Sequence, residues 1–195
     1  MIRAGIDDER FIRGDVPMTK AEIRAMVMVK AQIAEDDVVW DVGAGTGSIT
    51  IEAALQAKRG RVFAIERNPE GVKLIKKNAV QFGLDNIEVV HGSAPDALEG
   101  LPSANVIIIG GSGGNLEKIF DICEQSLIPN GRIVCTAVTV ETAYRVVADM
   151  RRRKWQYDGF QMQVNRLRKA GPYHLFQPIS PIFIITATTN QGGSV

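Results

Sequence analysis

Asp41 stands two residues ahead of three glycines on alternate positions, Gly43, Gly45 and Gly47. A second acid, Glu66, follows near the spacing of about 20 residues at which nucleotide folds place a ribose-binding carboxylate. Glycines so placed permit positive φ and let a ligand approach the backbone closely. The pattern departs from the dinucleotide fingerprint G-x-G-x-x-G/A, because the third glycine comes one residue early. Asp41 would also sit badly against a pyrophosphate and well against a cation. S-adenosylmethionine carries an α-ammonium and a sulfonium and no phosphate, so Asp41-x-Gly43-Ala44-Gly45-Thr46-Gly47 favours it over NAD, with Glu66 accepting from its ribose hydroxyls.

Other residues extend this chemistry. Gly92-Ser93-Ala94 offers backbone N–H groups to an adenine edge, and Ser93 or Asp96 could accept from its amino group; Asp96 serves equally well as a helix cap. In Gly110-Gly111-Ser112-Gly113-Gly114-Asn115 the glycines would let a substrate come close to a transferable methyl, although such loops are also common connectors. Arg151 to Lys154 suit a solvated helix C-terminus. Arg166, Arg168 and Lys169, near Tyr173, His174 and Phe176, suit a flat anionic ligand, and Arg3, Arg10, Arg13 and Lys20 could form an opposite basic rim. There is no cysteine beside a base, and His91 and His174 are not near any obvious nucleophile or acid. Methyl transfer from a sulfonium needs alignment and desolvation more than acid–base groups, so the catalytic residues stay unassigned beyond positioning by Gly110, Gly111, Ser112 and Gly113.

These residues need a scaffold of alternating strands and helices. Val38 to Val42 is a β-branched, apolar run that enters the glycine turn, and an apolar-rich helix follows with Glu52, Gln56 and Lys58 available for its wetter side. Residues 61–66, 87–90, 106–109 and 133–136 read as further strands, and 155–164 and 182–187 as two more. Thr19 with Glu22 spells a capping box, Asn68-Pro69-Glu70 a helix start, and Pro129-Asn130-Gly131 the end of a helix over 116–127. A helix over 142–154 follows, and 166–181 reads as a loop rich in basic residues and prolines. Strands alternate with helices up to the fifth; the last two have no helix between them. The fold expected is therefore α/β: a Rossmann-like, seven-stranded, mostly parallel sheet with the last strand antiparallel and helices on both faces.

The 195 residues suffice for one domain spanning 1–195. A formal net charge of +1 argues against extensive nucleic-acid wrapping. Cys123 and Cys135 lie in no metal-like cluster, so no metal is expected and both read as reduced core residues of a cytoplasmic protein. No signal peptide or membrane span is apparent, and the polar tail 190–195 reads as frayed.

Asp41-Val42-Gly43-Ala44-Gly45-Thr46-Gly47 resembles the first motif of class I S-adenosylmethionine methyltransferases. With Pro17-Met18-Thr19-Lys20-Ala21-Glu22-Ile23-Arg24, Gly92-Ser93-Ala94-Pro95 and Ile109-Gly110-Gly111-Ser112-Gly113-Gly114, the chain resembles the decarboxylating cobalt-precorrin-6B C15-methyltransferases of cobalamin biosynthesis, and the C-terminal half of the larger precorrin-6Y methyltransferases. The resemblance implies methylation of an anionic tetrapyrrole, loss of carbon dioxide from an acetate arm, and a homotetramer. It implies cofactor contacts from Thr19, the 41–47 turn, Glu66 and Ala94. Ser93 stands where many related methyltransferases place an acid. A tRNA adenine methyltransferase and a non-catalytic S-adenosylmethionine-binding module are the alternatives.

Overall fold

The computed structural model describes residues 4–189. Arg3, one of the expected basic contacts, and the tail 190–195 lie outside the described residues. In chain order the elements are α1 (Ala21–Ala31), β1 (Val38–Val42), α2 (Ser48–Gln56), β2 (Arg61–Glu66), α3 (Pro69–Gln81), β3 (Ile87–His91), β4 (Ala104–Ile109), α4 (Leu116–Ser126), β5 (Leu127–Ala137), α5 (Val140–Arg152), β6 (Gln156–Ala170) and β7 (Tyr173–Thr188). The strands form one sheet in the order β3-β2-β1-β4-β5-β7-β6. β1 to β5 pair in parallel, and β7 runs antiparallel to both β5 and β6, as the expected fold requires.

The central strands are apolar on both faces because helices cover both. Val39, Val62, Val106 and Val134 pack with residues of α1 and α2. Trp40, Phe63, Ile107 and Ile133, one step along in register, pack with α4 and α5. The period-two alternation of a strand thus feeds two cores from one run of residues. Cys123 and Cys135 are buried and free within the second of these cores. No helix among the described residues is long and apolar enough to cross a membrane.

Four local expectations are corrected. Thr19 does not cap α1: Lys20 holds the N-cap position without a side-chain bond, and the Ala21 amide donates instead to Asp8 Oδ1 at 3.0 Å. Glu22 instead accepts a charge-assisted hydrogen bond from the Arg166 guanidinium, with Nε at 2.8 Å. Glu52 is fully buried rather than on a wet side, since Arg24 Nε (2.9 Å) and the amides of Gly5 and Ile6 (both 2.9 Å) saturate it. Residues 129–131 lie inside β5, where the register with β4 jumps from Ala104↔Leu127 to Val106↔Arg132 and Asn130 takes φ +63°.

The fourth correction is the largest. Residues 166–181 are not a loop but the outer half of a long ribbon, β6 and β7 joined through Gly171. β5 pairs with β7 only as far out as Phe183, so beyond that point one edge of β7 is free. Proline at a free edge loses no ladder bond, which is why Pro178 and Pro181 are tolerated there.

Candidate active site

A cavity of about 620 Å³ opens along the carboxyl ends of β1, β2, β4 and β5, where open α/β sheets bind their ligands. Its floor is made where two glycine segments meet. The amides of Gly43 and Ala44 both donate to the Ile65 carbonyl (2.9 and 3.1 Å), and those of Gly110 and Gly111 to the Val42 carbonyl (2.9 and 3.2 Å). A Cβ on Gly43, whose φ is +76°, would lie 2.7 Å from the Gly111 nitrogen, so the turn after β1 and the loop after β4 pack backbone to backbone.

Glu66 ends β2 with its carboxylate fixed from two sides. Gly45 N–H donates to Oε2 and Asn68 N–H to Oε1, each at 2.7 Å, and the side chain lines the cavity while 7% exposed. Asn68 also caps α3 through its side chain, which accepts from the Glu70 amide at 2.9 Å, as its sequence position leads one to expect. The start of α3 therefore presents Glu66 to the cavity and supports the glycine turn at once.

Asp41 lies beneath that turn, 1% exposed and not on the cavity surface. The Thr50 hydroxyl donates to its Oδ2 at 2.5 Å, and Oδ1 is buried with no partner. Burial, helped by the charge of Glu66, pushes the carboxyl up to about 6 against the hydrogen bond from Thr50. Thr46 is also buried with an unpartnered hydroxyl, and neither it nor Gly47 lines the cavity.

Thr19, Lys20, Gly43, Ala44, Gly45, Glu66, Ser93, Ala94, Gly110, Gly111, Ser112 and Gly113 are brought together around the cavity. Asp96 opens a short turn at Asp96–Leu98 and stays outside it. Of the expected basic rim among the described residues, only Lys20 faces in. Arg10 lies over the Phe82 ring at 5.4 Å. Arg13 donates to the Asp8 carbonyl at 3.2 Å. Arg168 and Lys169 are exposed near the tip of the ribbon. Arg166 pairs with Glu22 and, at 3.2 Å, with Asp8, which also accepts from the buried Arg24 at 2.9 Å. Burial pushes the Asp8 carboxyl up, but these two guanidiniums outweigh it and hold it below its usual range.

Several lining residues are not among those expected. Arg67 follows Glu66 and reaches the glycine loop: a Cβ on Gly113 would lie 3.3 Å from its Nη1. Its place directly after a strand-ending acid was the available signal. Asn115 joins two of the lining loops by donating to the Ala94 carbonyl at 3.3 Å. Ile23, Val138, Ile179 and Ile182 make an apolar side, with Thr136 and Ser180 among them.

A profile of the precorrin methyltransferase domain matches residues 10–189. The chain belongs to the precorrin methyltransferase family. It is 39% identical over 186 residues to the cobalt-precorrin-6B C(15)-methyltransferase (decarboxylating) of Salmonella typhimurium, a match covering 94% of this chain and 96% of that one. Among solved structures it is similar to a precorrin-6y C5,15-methyltransferase from Geobacter metallireducens, with a TM-score of 0.89 and 37% identity over 94% of this chain and 96% of that one. A precorrin 8W decarboxylase from Methanobacterium thermoautotrophicum matches equally well in shape, with a TM-score of 0.89 and 34% identity over 94% of this chain and all (100%) of the other. In this member of the family the cavity is lined by a fixed carboxylate, two cations and five residues of the 110–115 loop.

Proposed function

We propose that this chain transfers a methyl group from S-adenosylmethionine to C15 of cobalt-precorrin-6B, or of its cobalt-free counterpart, with loss of the C12 acetate carboxyl as carbon dioxide, in cobalamin biosynthesis. The observation that carries this reading is Glu66. Its carboxylate is held by two backbone amides at 2.7 Å and turned into a cavity floored by glycine backbone. The residues fit the cofactor on structural grounds. Glu66 keeps lone pairs for ribose hydroxyls, and Gly43 and Gly45 leave backbone bare of side chains.

When bound, S-adenosylmethionine supplies an electrophilic methyl on a sulfonium that leaves as a neutral thioether. The chain then has to orient and to exclude water. Thr19, Ser93 and Ala94, together with Gly43, Ala44, Gly45 and Glu66, are assigned to the cofactor, with Asp41, Thr46 and Gly47 supporting the turn from beneath. Gly110, Gly111, Ser112 and Gly113 are assigned to holding the acceptor carbon against the methyl. Lys20 and Arg67, the two cations on the cavity wall, are assigned to carboxylate arms of the substrate. The apolar side formed by Ile23, Val138, Ile179 and Ile182 suits a carboxylate that must be desolvated before it departs.

Assembly as a homotetramer of single-domain subunits belongs to the same proposal. Its support is the outer ribbon, where Leu167, Tyr173, Leu175 and Phe176 are all more than half exposed; an apolar patch of this kind marks an association surface. The test of function is incubation with methyl-labelled cofactor and cobalt-precorrin-6B. Mass spectrometry should show one methyl gained and one carbon dioxide lost in a single product. Label in tRNA with the tetrapyrrole untouched would overturn the substrate assignment.

A further inference from the structure

The cavity has the size of a site for one of the two ligands of the proposed reaction. Its volume of about 620 Å³ lies within the range of about 300–1,000 Å³ typical for one drug-sized ligand. A cofactor occupying it leaves room for the reacting edge of a tetrapyrrole and not for the ring with its arms. The rest of the macrocycle must lie against protein surface at the mouth.

One stretch of that surface is unexpectedly apolar. Val138 lines the cavity yet is 69% exposed, and Val140 and Tyr144, at the start of α5, are 71% and 73% exposed. Val140 and Tyr144 are four residues apart in one helix and so share a face. Val29 and Val80 are exposed singly elsewhere, which needs no explanation. Here three large apolar side chains follow one another from the cavity outward, with nothing among the described residues covering them. Two charged neighbours flank them on α5. Glu141 and Arg145, four residues apart, share the adjoining face of the helix and are both exposed, and Arg145 has no ion-pair partner among the described residues.

We propose that Val138, Val140 and Tyr144 form a shelf on which the apolar face of the conjugated macrocycle lies, with a carboxylate arm reaching Arg145. The proposal rests on the reading of the chain as a precorrin methyltransferase. Continuity with the cavity favours this occupant, because the shelf begins at a residue that already lines the site. An extended conjugated ring bearing acidic arms matches an apolar strip edged by a free guanidinium.

The test compares wild type with Val140→Asp, Tyr144→Ala and Tyr144→Phe in the full chain. Val140→Asp and Tyr144→Ala should raise KM for the tetrapyrrole by about tenfold or more, with kcat nearly unchanged at saturation. Tyr144→Phe should keep the wild-type KM. Affinity for S-adenosylhomocysteine by calorimetry and the thermal midpoint should not move in any variant, which separates a lost shelf from a damaged fold. Wild-type KM in both Val140→Asp and Tyr144→Ala overturns the proposal. So does a changed mass by light scattering with KM unaltered, which makes the strip an interface between copies. Equilibrium binding of the tetrapyrrole, read from its visible absorbance, is measured alongside. Binding by wild type without turnover overturns the assigned reaction and leaves the shelf to be judged by the variants' Kd. No binding by wild type overturns both.

Discussion

Asp41→Asn tests the electrostatics of the cofactor turn without any substrate. The carboxyl is pushed from 3.8 to about 6 by burial, with Oδ1 unpartnered and Oδ2 held only by Thr50. That gap corresponds to about 3 kcal/mol. Because the folded chain binds this proton more tightly than the unfolded one, ionisation opposes folding: the contribution is favourable below about pH 4 and is lost as pH rises toward the folded value near 6. An asparagine can still accept from Thr50 and cannot ionise. Without ligand, the variant should match wild type at pH 4 and exceed it by up to about 3 kcal/mol at pH 7.5, roughly 6–12 °C in Tm for a chain of this size. Urea unfolding across pH 4–8 measures both. A stability difference independent of pH would refute the reasoning, since it would mean that the carboxylate is not desolvated.

The remaining predictions concern the parts that hold the site. Arg24→Met leaves Glu52 buried without its counter-charge and Asp8 with Arg166 alone, and should cost about 3–5 kcal/mol in urea unfolding. Arg166→Ala, at a side chain 38% exposed, should cost only about 1 kcal/mol or less. Glu66→Ala should weaken S-adenosylhomocysteine binding by about 1–3 kcal/mol in calorimetry, through lost charge-assisted hydrogen bonds; NAD should not compete. Gly45→Val should abolish that binding, because its φ is +58° and a Cβ there would already sit 3.1 Å from the Pro17 carbonyl oxygen.

The interior of the sheet was legible because each strand carried its own signal. β1 and β4 are predominantly apolar runs that needed cover on both faces, and their ends are marked by glycine. Glu66 was legible for the same reason: a strand with a definite end fixes which residue stands at that end. The charged residues were not legible, because charge patterns in sequence do not say which partner wins. Arg166 looked like a ligand contact among aromatics, but two acids distant in sequence, Asp8 and Glu22, take its guanidinium. Glu52 looked solvated by helical position, yet the segment before α1 folds over it and supplies the amides of Gly5 and Ile6.

The outer ribbon shows the same limit for backbone. Prolines at 172, 178 and 181 and a cluster of basic residues spell a loop under local rules, since proline within a strand demotes it. That rule assumes a neighbour on each side, and β7 beyond Phe183 has only β6. The exemption depends on where β5 stops, which no local pattern near residue 178 encodes. This misreading bears on function as well as topology. Taken as a loop, 166–181 would drape Arg166, Arg168 and Lys169 over the cavity. As a paired ribbon it carries Arg168 and Lys169 outward, keeps Arg166 on Glu22 and Asp8, and gives the cavity only the Ile179–Ile182 stretch. Among the described residues, the cations left to meet an anionic substrate inside the cavity are then Lys20 and Arg67. One of them was hidden behind a more conspicuous neighbour: Glu66 drew the attention due to a strand-ending acid, and the guanidinium one residue on crosses toward the loop where the acceptor carbon is proposed to lie.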